Sequence, residues 1–279
     1  MTTRLVSTPL DSRPFMHETL PFFARGEKPA FEQFPGRAGA RVLLICDHAS
    51  KLVPRGLSQL GLDDAALSQH IGWDIGAGDV TRRLAQALEL PAVLCGYSRL
   101  VIDCNRDPED PTSIPQISDG VTIPGNRDLG AAAGRARRRY LFDPYHAAIA
   151  AWIAASLGRG IFPALIGVHS FTPSMSGQAR PWHIGVLWDG DGRIALPLLA
   201  ALRGEAGLAI GDNEPYSARQ PAGYTMRHHA VNRGLPHVAV EIRQDLIADA
   251  SGAREWAELL ERVLGPILTE DSIYRLWQK

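Results

Sequence analysis

The chain has 279 residues, 45% of them apolar, which is enough for the core of one large α/β domain or of two small ones. Its formal net charge of −1 gives no indication of a nucleic acid or another polyanion as partner. No apolar stretch is long enough for a signal peptide or a membrane span, so we expect a cytoplasmic protein without membrane contact. The three cysteines, Cys46, Cys95 and Cys104, lie in or beside apolar runs and are predicted to be reduced packing residues.

The first forty residues are predicted to form an arm that wraps the domain. They carry five prolines among glycines and charges, and a short helix is expected near residues 18–25, although the arm could equally be partly disordered. No internal repeat or linker divides residues 41–279, so we interpret this part of the chain as a single domain.

The first strand of this domain is predicted over Val42–Cys46. It is a short run of branched and apolar residues, typical of a strand buried on both faces of an α/β sheet. Asp47 and His48 follow directly. Because ligands of open α/β sheets lie outside the carboxyl ends of the strands, His48 is a candidate metal ligand or proton-transfer group. An ordinary loop histidine is the alternative.

The rest of the pattern alternates helices with strands, which predicts an α/β fold with helices on both faces of one sheet. A proline-rich polar loop at 104–128 is of the kind that carries function. Four arginines at positions 135 and 137–139 are predicted to form a solvated helix face. Helices are predicted at 61–70, 80–88, 129–140, 143–157, 193–204, 223–234 and 252–276, and further strands at 91–95, 99–103, 163–168, 183–188 and 237–242.

Three predicted strands lead into a residue that can bind a metal or move a proton. These residues are His48, His169 and Glu241. Two histidines with a carboxylate are a usual ligand set for catalytic zinc, and a further carboxylate is then needed as general base. Asp74, in the predicted turn at 72–77, and Glu241 are the candidates for these two roles.

A second candidate group is the segment 98–106, which places Arg99 at the start of a predicted strand and Asn105 and Arg106 just past its end. Arginine side chains hold carboxylates through two-point contacts, and an asparagine can orient a carboxylate oxygen. A structural ion pair between Asp103 and one of the two arginines is the alternative. Arg180 is a further candidate contact to a substrate carboxylate, or a solvent-facing arginine.

The chain resembles the N-formylglutamate amidohydrolase family, which is related to zinc carboxypeptidases and aspartoacylases. The resemblance covers about residues 41–250. It rests on an ordered set of motifs: DHAS at 47–50, GWDIGA at 72–77, SRLVIDCNR at 98–106, GVHSFTP at 167–173 and VEIRQDLI at 240–247.

The resemblance implies a three-layer α/β/α sandwich with a mixed central sheet, of the phosphorylase/hydrolase-like type found in zinc exopeptidases. It also implies one zinc per chain and hydrolysis of an N-acyl amino acid. In the relatives an Asn-Arg pair holds the substrate carboxylate, and Asn105-Arg106 matches that pair. The expected partner is therefore a small molecule that carries a carboxylate, such as N-formylglutamate.

The sequence departs from these relatives at one ligand position. Zinc carboxypeptidases and aspartoacylases have a glutamate three residues after the first histidine ligand, where this chain has Lys51. We therefore expect zinc to be bound by His48, His169 and Asp74, with Asp47 as the fallback for Asp74. Glu241 is then the general base.

Two other functions remain open at the level of the sequence. One is a metallo-carboxypeptidase or cell-wall amidase that acts on peptides, and the other is a binding protein for a small carboxylate without turnover. Of the remaining histidines, His146 is predicted to be a packing residue and His229 to lie on a helix surface, although either could reach the pocket.

Overall fold

The computed structural model describes residues 22–24, 26–219 and 223–277. In this part of the chain the central sheet has seven strands, and their order across the sheet is β1-β3-β2-β4-β7-β5-β6. We number them along the chain as β1 Phe31–Phe34, β2 Val42–Cys46, β3 Ala92–Cys95, β4 Ala164–Phe171, β5 Ile184–Leu187, β6 Ile210–Asp212 and β7 His237–Arg243.

The sheet is mixed, as the sequence predicted. The central strands β3, β2, β4 and β7 run parallel to one another, and β5 and β6 are parallel as a pair. Two pairings are antiparallel, β1 with β3 and β5 with β7. Two short hairpins, at 117–122 and 174–179, stand apart from this sheet.

The helices in the described residues are α1 Asp64–Leu67, α2 Ala77–Ala87, α3 Ala131–Arg137, α4 Asp143–Leu157, α5 Ala195–Arg203, α6 Tyr224–His229 and α7 Ala250–Thr269. Asp63 caps α1, because its side chain accepts from the amide of Ala66. The last helix ends seven residues before the predicted Leu276, and α6 is followed by a 3-10 turn at Val231–Arg233. None of the described helices combines the length and apolar character that crossing a bilayer requires.

The two faces of the sheet bury separate hydrophobic cores, and β2 shows why. Side chains alternate between the faces of a strand, so Leu43 and Ile45 pack with α4 while Leu44 and Cys46 pack with α2 and α7. All five residues of β2 are buried. Helices therefore cover both faces of the sheet, and the predicted three-layer α/β/α sandwich is confirmed.

The predicted strand at 99–103 is wrong. Leu100 and Val101 are buried, but their backbone turns instead of pairing with the sheet. Their carbonyls are satisfied by side chains, since Asn126 donates to Leu100 at 2.8 Å and Arg137 donates to Val101 at 3.0 Å. An apolar run can leave the sheet when side chains supply the hydrogen bonds that a neighbouring strand would otherwise give.

Those bonds also overturn the prediction that Arg137 is solvated. Its side chain is buried, and it donates to Asn126 and Gly125 as well as to Val101. The adjoining helix is continuous, with a π-helical stretch at Arg138–Phe142 between α3 and α4. The predicted break between the helices at 129–140 and 143–157 is therefore absent, and Asp143 does not cap a new helix.

The amino-terminal arm contributes to the sheet. Phe31–Phe34 forms the antiparallel edge strand β1, which the sequence did not predict. The short helix predicted near residues 18–25 falls largely outside the described residues.

Candidate metal centre

The candidate residues meet at the carboxyl edge of the central parallel strands. His48 lies two residues past the end of β2. His169 and Glu241 lie inside β4 and β7, two residues before each strand ends, and they are register partners across this parallel pair. All three side chains are buried. The sequence placed these residues at the right edge of the sheet, although it ended two of the strands too early.

Asp74 reaches this edge through the turn that directly precedes α2. Its backbone amide donates to the carbonyl of His48 at 3.0 Å, which ties the turn to the end of β2. Gly76 then turns the chain into α2 with a φ of +79°, and a Cβ at this position would lie 2.0 Å from the carbonyl oxygen of Ile247. Only glycine fits such a backbone position, and the turn holds Asp74 against the two histidines.

The two histidines face one oxygen of Asp74. Nδ1 of His48 lies 3.2 Å from Asp74 Oδ2, and Nδ1 of His169 lies 2.9 Å from the same oxygen. Among the described residues these three form a group whose ligand atoms all lie within 4.8 Å of one another. Ligand atoms about 2.0 Å from a tetrahedral zinc are about 3.3 Å apart, so this donor set fits the predicted metal.

The side chain of Lys51 is turned away from the candidate metal position. Its ammonium group donates to the hydroxyl of Ser68 at 2.7 Å, and its side chain is exposed. Position 51 therefore supplies no carboxylate to the two histidines, and the carboxylate that faces both of them comes from Asp74, in a different turn.

The other nitrogen of each histidine faces a second carboxylate. Nε2 of His48 lies 2.7 Å from Asp103 Oδ1, and Nε2 of His169 lies 3.4 Å from Asp47 Oδ2. Metal-binding histidines usually donate their second N–H to such a group, which fixes the ring and the nitrogen that remains free to bind. The sequence predicts an ion pair between Asp103 and an arginine, and it offers Asp47 as an alternative metal ligand to Asp74. It does not predict the contacts of these two aspartates with the histidines.

The charges at the site favour a cation. Burial raises the pKa of Asp74, but His48 and His169 outweigh burial and hold it well below its usual range. Burial and the Arg99 guanidinium lower the pKa of His48, but Asp103 and Asp74 outweigh both and raise it to about 9. The buried carboxylates therefore stabilise positive charge at the histidines, as a site for a divalent metal would.

Glu241 differs from the aspartates around it. Burial raises its pKa to about 7, against the opposing effect of His169. Its Oε2 atom is buried and has no hydrogen-bond partner within the described ranges. A buried polar atom without a partner is costly, so its presence beside a donor set indicates a group that takes part in binding or chemistry.

The candidate substrate residues occupy different environments. Arg99 donates to Asp103 at 2.9 Å and to Asp74 at 3.3 Å, so it offsets the charge of the carboxylates. Arg106 is half exposed, and its Nε lies 3.6 Å from Asp103. Asn105 accepts from the amide of Thr225 through Oδ1, which leaves its NH₂ group as the donor that a substrate can use.

Arg180 lies near the end of β4, on the same side of the sheet as His169. Its guanidinium donates to the hydroxyls of Thr172 at 3.3 Å and Tyr216 at 3.1 Å. It also stacks on the Tyr216 ring, with Cζ 4.9 Å from the centroid. These contacts hold Arg180 at the rim of the site.

His229 is buried, so the prediction that it lies on a helix surface is wrong. It stacks on His146 and forms a 2.9 Å hydrogen bond with it, while Nε2 of His146 lies 2.9 Å from the carbonyl oxygen of Cys104. Because a carbonyl only accepts, Nε2 of His146 carries the proton, and His229 donates to Nδ1. Both rings are neutral packing residues.

This pair predicts an acid-sensitive contribution to stability. Burial lowers the pKa of His146 to about 4 and of His229 to about 3, below the unfolded value of about 6.5. The unfolded chain then binds more protons below pH 6.5, so this stability is present above that pH and is lost as the pH falls, by up to about 1.4 kcal/mol per unit for each histidine.

Replacing His146 with glutamine should therefore flatten the dependence of unfolding free energy on pH between about 4.5 and 6.5. The slope of unfolding free energy against pH is measured by urea unfolding of the wild type and the variant, both without metal, at several pH values. Parallel curves for the variant and the wild type would show that His146 does not titrate on unfolding.

Residues 40–248 match a family model described as N-formylglutamate amidohydrolase. No sequence among the curated proteins that were compared gives a significant match.

The solved structures that are similar to this chain include the two that follow. The gene product Atu2144 of Agrobacterium tumefaciens has 38% identity and a TM-score of 0.84, over 89% of this chain and 98% of that one. An N-formylglutamate amidohydrolase of Ralstonia eutropha JMP134 has 17% identity and a TM-score of 0.59, over 85% of this chain and 98% of that one. At that identity the second likeness shows a shared fold.

Proposed function

The chain belongs to the N-formylglutamate amidohydrolase family, and we propose that it is a zinc-dependent hydrolase of the amide bond of N-acyl amino acids such as N-formylglutamate. The observation that carries the proposal is the buried group formed by His48, Asp74 and His169, with Glu241 as the register partner of His169. The products are the acid, here formate, and the free amino acid.

His48 and His169 would hold the metal through Nδ1, and Asp74 would hold it through Oδ2, because these are the atoms that face one another. When bound there, zinc supplies a Lewis acid that polarises the acyl carbonyl and lowers the pKa of water. Asp103 and Asp47 lie at the other ring nitrogen of His48 and His169, respectively.

Glu241 is the proposed general base. It takes up the proton of the attacking water molecule and then gives that proton to the nitrogen of the leaving amine. Its Oε2 has no hydrogen-bond partner among the described residues, which supports this role, whereas Asp74 and Asp103 are already engaged by the histidines and Arg99. Asp47 also has one oxygen without a hydrogen-bond partner there, but two hydroxyls hold its other oxygen.

Asn105 and Arg106 are the proposed anchor for the substrate carboxylate. The NH₂ group of Asn105 donates to none of the described residues, and the guanidinium of Arg106 is half exposed beside the buried site. Holding this remote group places the scissile bond near the base. Arg180, at the rim, is proposed as a second contact, and Arg99 mainly braces the site.

Replacing Arg106 with alanine should lower kcat/KM for acids bearing a free carboxylate by about tenfold to a hundredfold, because a charge-assisted hydrogen bond contributes about 1.5–3 kcal/mol. Amidating the substrate carboxylate should weaken the wild type by a similar factor and the variant much less. Arg254→Ala, which removes the same charge from the exposed side of α7, is the control. Equal discrimination between acid and amide by Arg106→Ala and wild type would exclude Arg106 as the anchor.

The function itself is tested by metal content and a substrate panel. We expect about one zinc per purified chain, and turnover of N-formyl, N-acetyl or N-carbamoyl amino acids that is lost with a chelator and restored by zinc. Dipeptides and peptidoglycan fragments belong in the same panel. Turnover of peptides alone would assign a peptidase, and carboxylate binding without zinc or turnover would assign a binding protein.

A further inference from the structure

Asp47 is buried next to the candidate metal ligands, and two hydroxyl groups hold one of its oxygens. Tyr145 donates to Asp47 Oδ1 at 2.8 Å and Thr225 donates to the same oxygen at 2.6 Å. Tyr145 comes from α4 and Thr225 from α6, and both are fully buried. Two helices thus fix the orientation of this carboxylate, although they lie 98 and 178 residues from it in the chain.

The other oxygen of Asp47 is directed at His169. Oδ2 lies 3.4 Å from Nε2 and makes no hydrogen bond in the described part of the chain. Asp74 contacts the same ring through Nδ1. The two carboxylates therefore lie at different nitrogens of one imidazole, and Asp47 faces the nitrogen that does not bind the metal.

We propose that Asp47 is a positioning residue for His169, and that Tyr145 and Thr225 act through it. This inference rests on the proposed metal site. With both hydroxyls on Oδ1, Oδ2 is left to accept the Nε2 proton of His169. Holding the proton there keeps the Nδ1 lone pair free for the metal.

A purely structural role is the competing explanation. The three side chains join β2 to α4 and α6, so losing their hydrogen bonds lowers stability on either view. Zinc affinity of the folded protein separates the two explanations, because a structural role would leave it unchanged.

The decisive variant is Asp47→Asn. The amide oxygen can still accept from Tyr145 and Thr225, but its NH₂ group then faces Nε2 of His169. Two donors cannot face each other, so the ring proton moves to Nδ1 and removes the lone pair that binds zinc. We expect zinc affinity to fall by about 10- to 100-fold, the usual effect of changing such a partner.

The two hydroxyls give graded tests. Tyr145→Phe and Thr225→Val should each lower zinc affinity by about two- to tenfold, the effect of one ordinary hydrogen bond. Thr225→Ser keeps the hydroxyl and should bind zinc as the wild type does. The matched control is Tyr97→Phe, since Tyr97 is also buried and donates to the carbonyl of Lys28 at 2.6 Å, away from the histidines.

Zinc affinity is measured on the purified full-length variants by competition with a chromophoric chelator at one fixed pH, with circular dichroism and thermal melts to confirm folding. Unchanged affinity in Asp47→Asn, in a wild type that binds zinc and turns over substrate, would overturn this inference and leave the proposed function standing. A wild type that binds no zinc would overturn both.

Discussion

Replacing Glu241 with glutamine should leave the fold and the bound zinc in place and lower turnover by at least about a hundredfold, since a general base contributes about 10²- to 10⁴-fold. The amide has nearly the same size and shape as the carboxyl group, but it cannot accept the proton of the attacking water. We expect the main loss in kcat, with KM changed little, because the anchor for the substrate carboxylate is not altered.

Three measurements on the same sample distinguish the roles open to Glu241. A ligand role would lower zinc content, and a structural role would lower the melting temperature with normal activity in the folded fraction. Only the base role gives full zinc, a normal melt and low kcat. Asp47→Asn is the contrasting variant, because there the loss of activity should follow the loss of zinc.

Replacing His169 with alanine should remove metal and activity together. The variant loses the Nδ1 atom that lies 2.9 Å from Asp74 Oδ2, so only His48 and Asp74 remain of the proposed set. We expect zinc affinity to fall by more than about a hundredfold, beyond the effect of losing an outer partner, and hydrolysis to fall with zinc content. Metal analysis after dialysis and initial rates measure both.

His237 supplies a matched control for this variant. It is also a buried histidine, but it lies at the opposite end of β7 and its Nδ1 contacts the carbonyl oxygen of Leu235. His237→Ala should lower stability by a comparable amount and retain zinc. A His169→Ala protein with full zinc content would show that the ligand assignment is wrong.

Much of the fold could be predicted because its central strands are continuous apolar runs. The runs that became β2, β3, β4 and β7 were found, and the polar residues that interrupt them marked the edge where the site lies. The segment 99–103 has the same apolar pattern but is not a strand. What decides the difference is the presence of Asn126 and Arg137, whose contacts with its carbonyls arise only in the folded chain.

The same limit applies to the site. His48, His169 and Glu241 could be selected because each follows a buried run, and Asp74 because its turn carries a carboxylate. The partners of the histidines could not be assigned in this way. Nothing in the sequence around Asp103 distinguishes a contact with His48 from a contact with Arg99, and in the structure Asp103 makes both. In the sequence Tyr145 and Thr225 are indistinguishable from ordinary helix residues, because their contacts with Asp47 form only when the helices pack.

The proposed catalytic residues and the proposed substrate anchor differ in how far the fold constrains them. The register of β4 and β7 fixes the first group, whereas the second lies outside the sheet. His169 and Glu241 are neighbours in a parallel ladder at the centre of the sheet, so a slip of one residue would turn one of them to the opposite face. The proposed anchor Asn105-Arg106 lies instead in an irregular segment that leads into the long loop at 107–128. We therefore expect substitutions in that loop to change which substrates the proposed hydrolase accepts and to leave its hydrolytic chemistry in place, which makes this scaffold a good starting point for selecting amidases with new substrates.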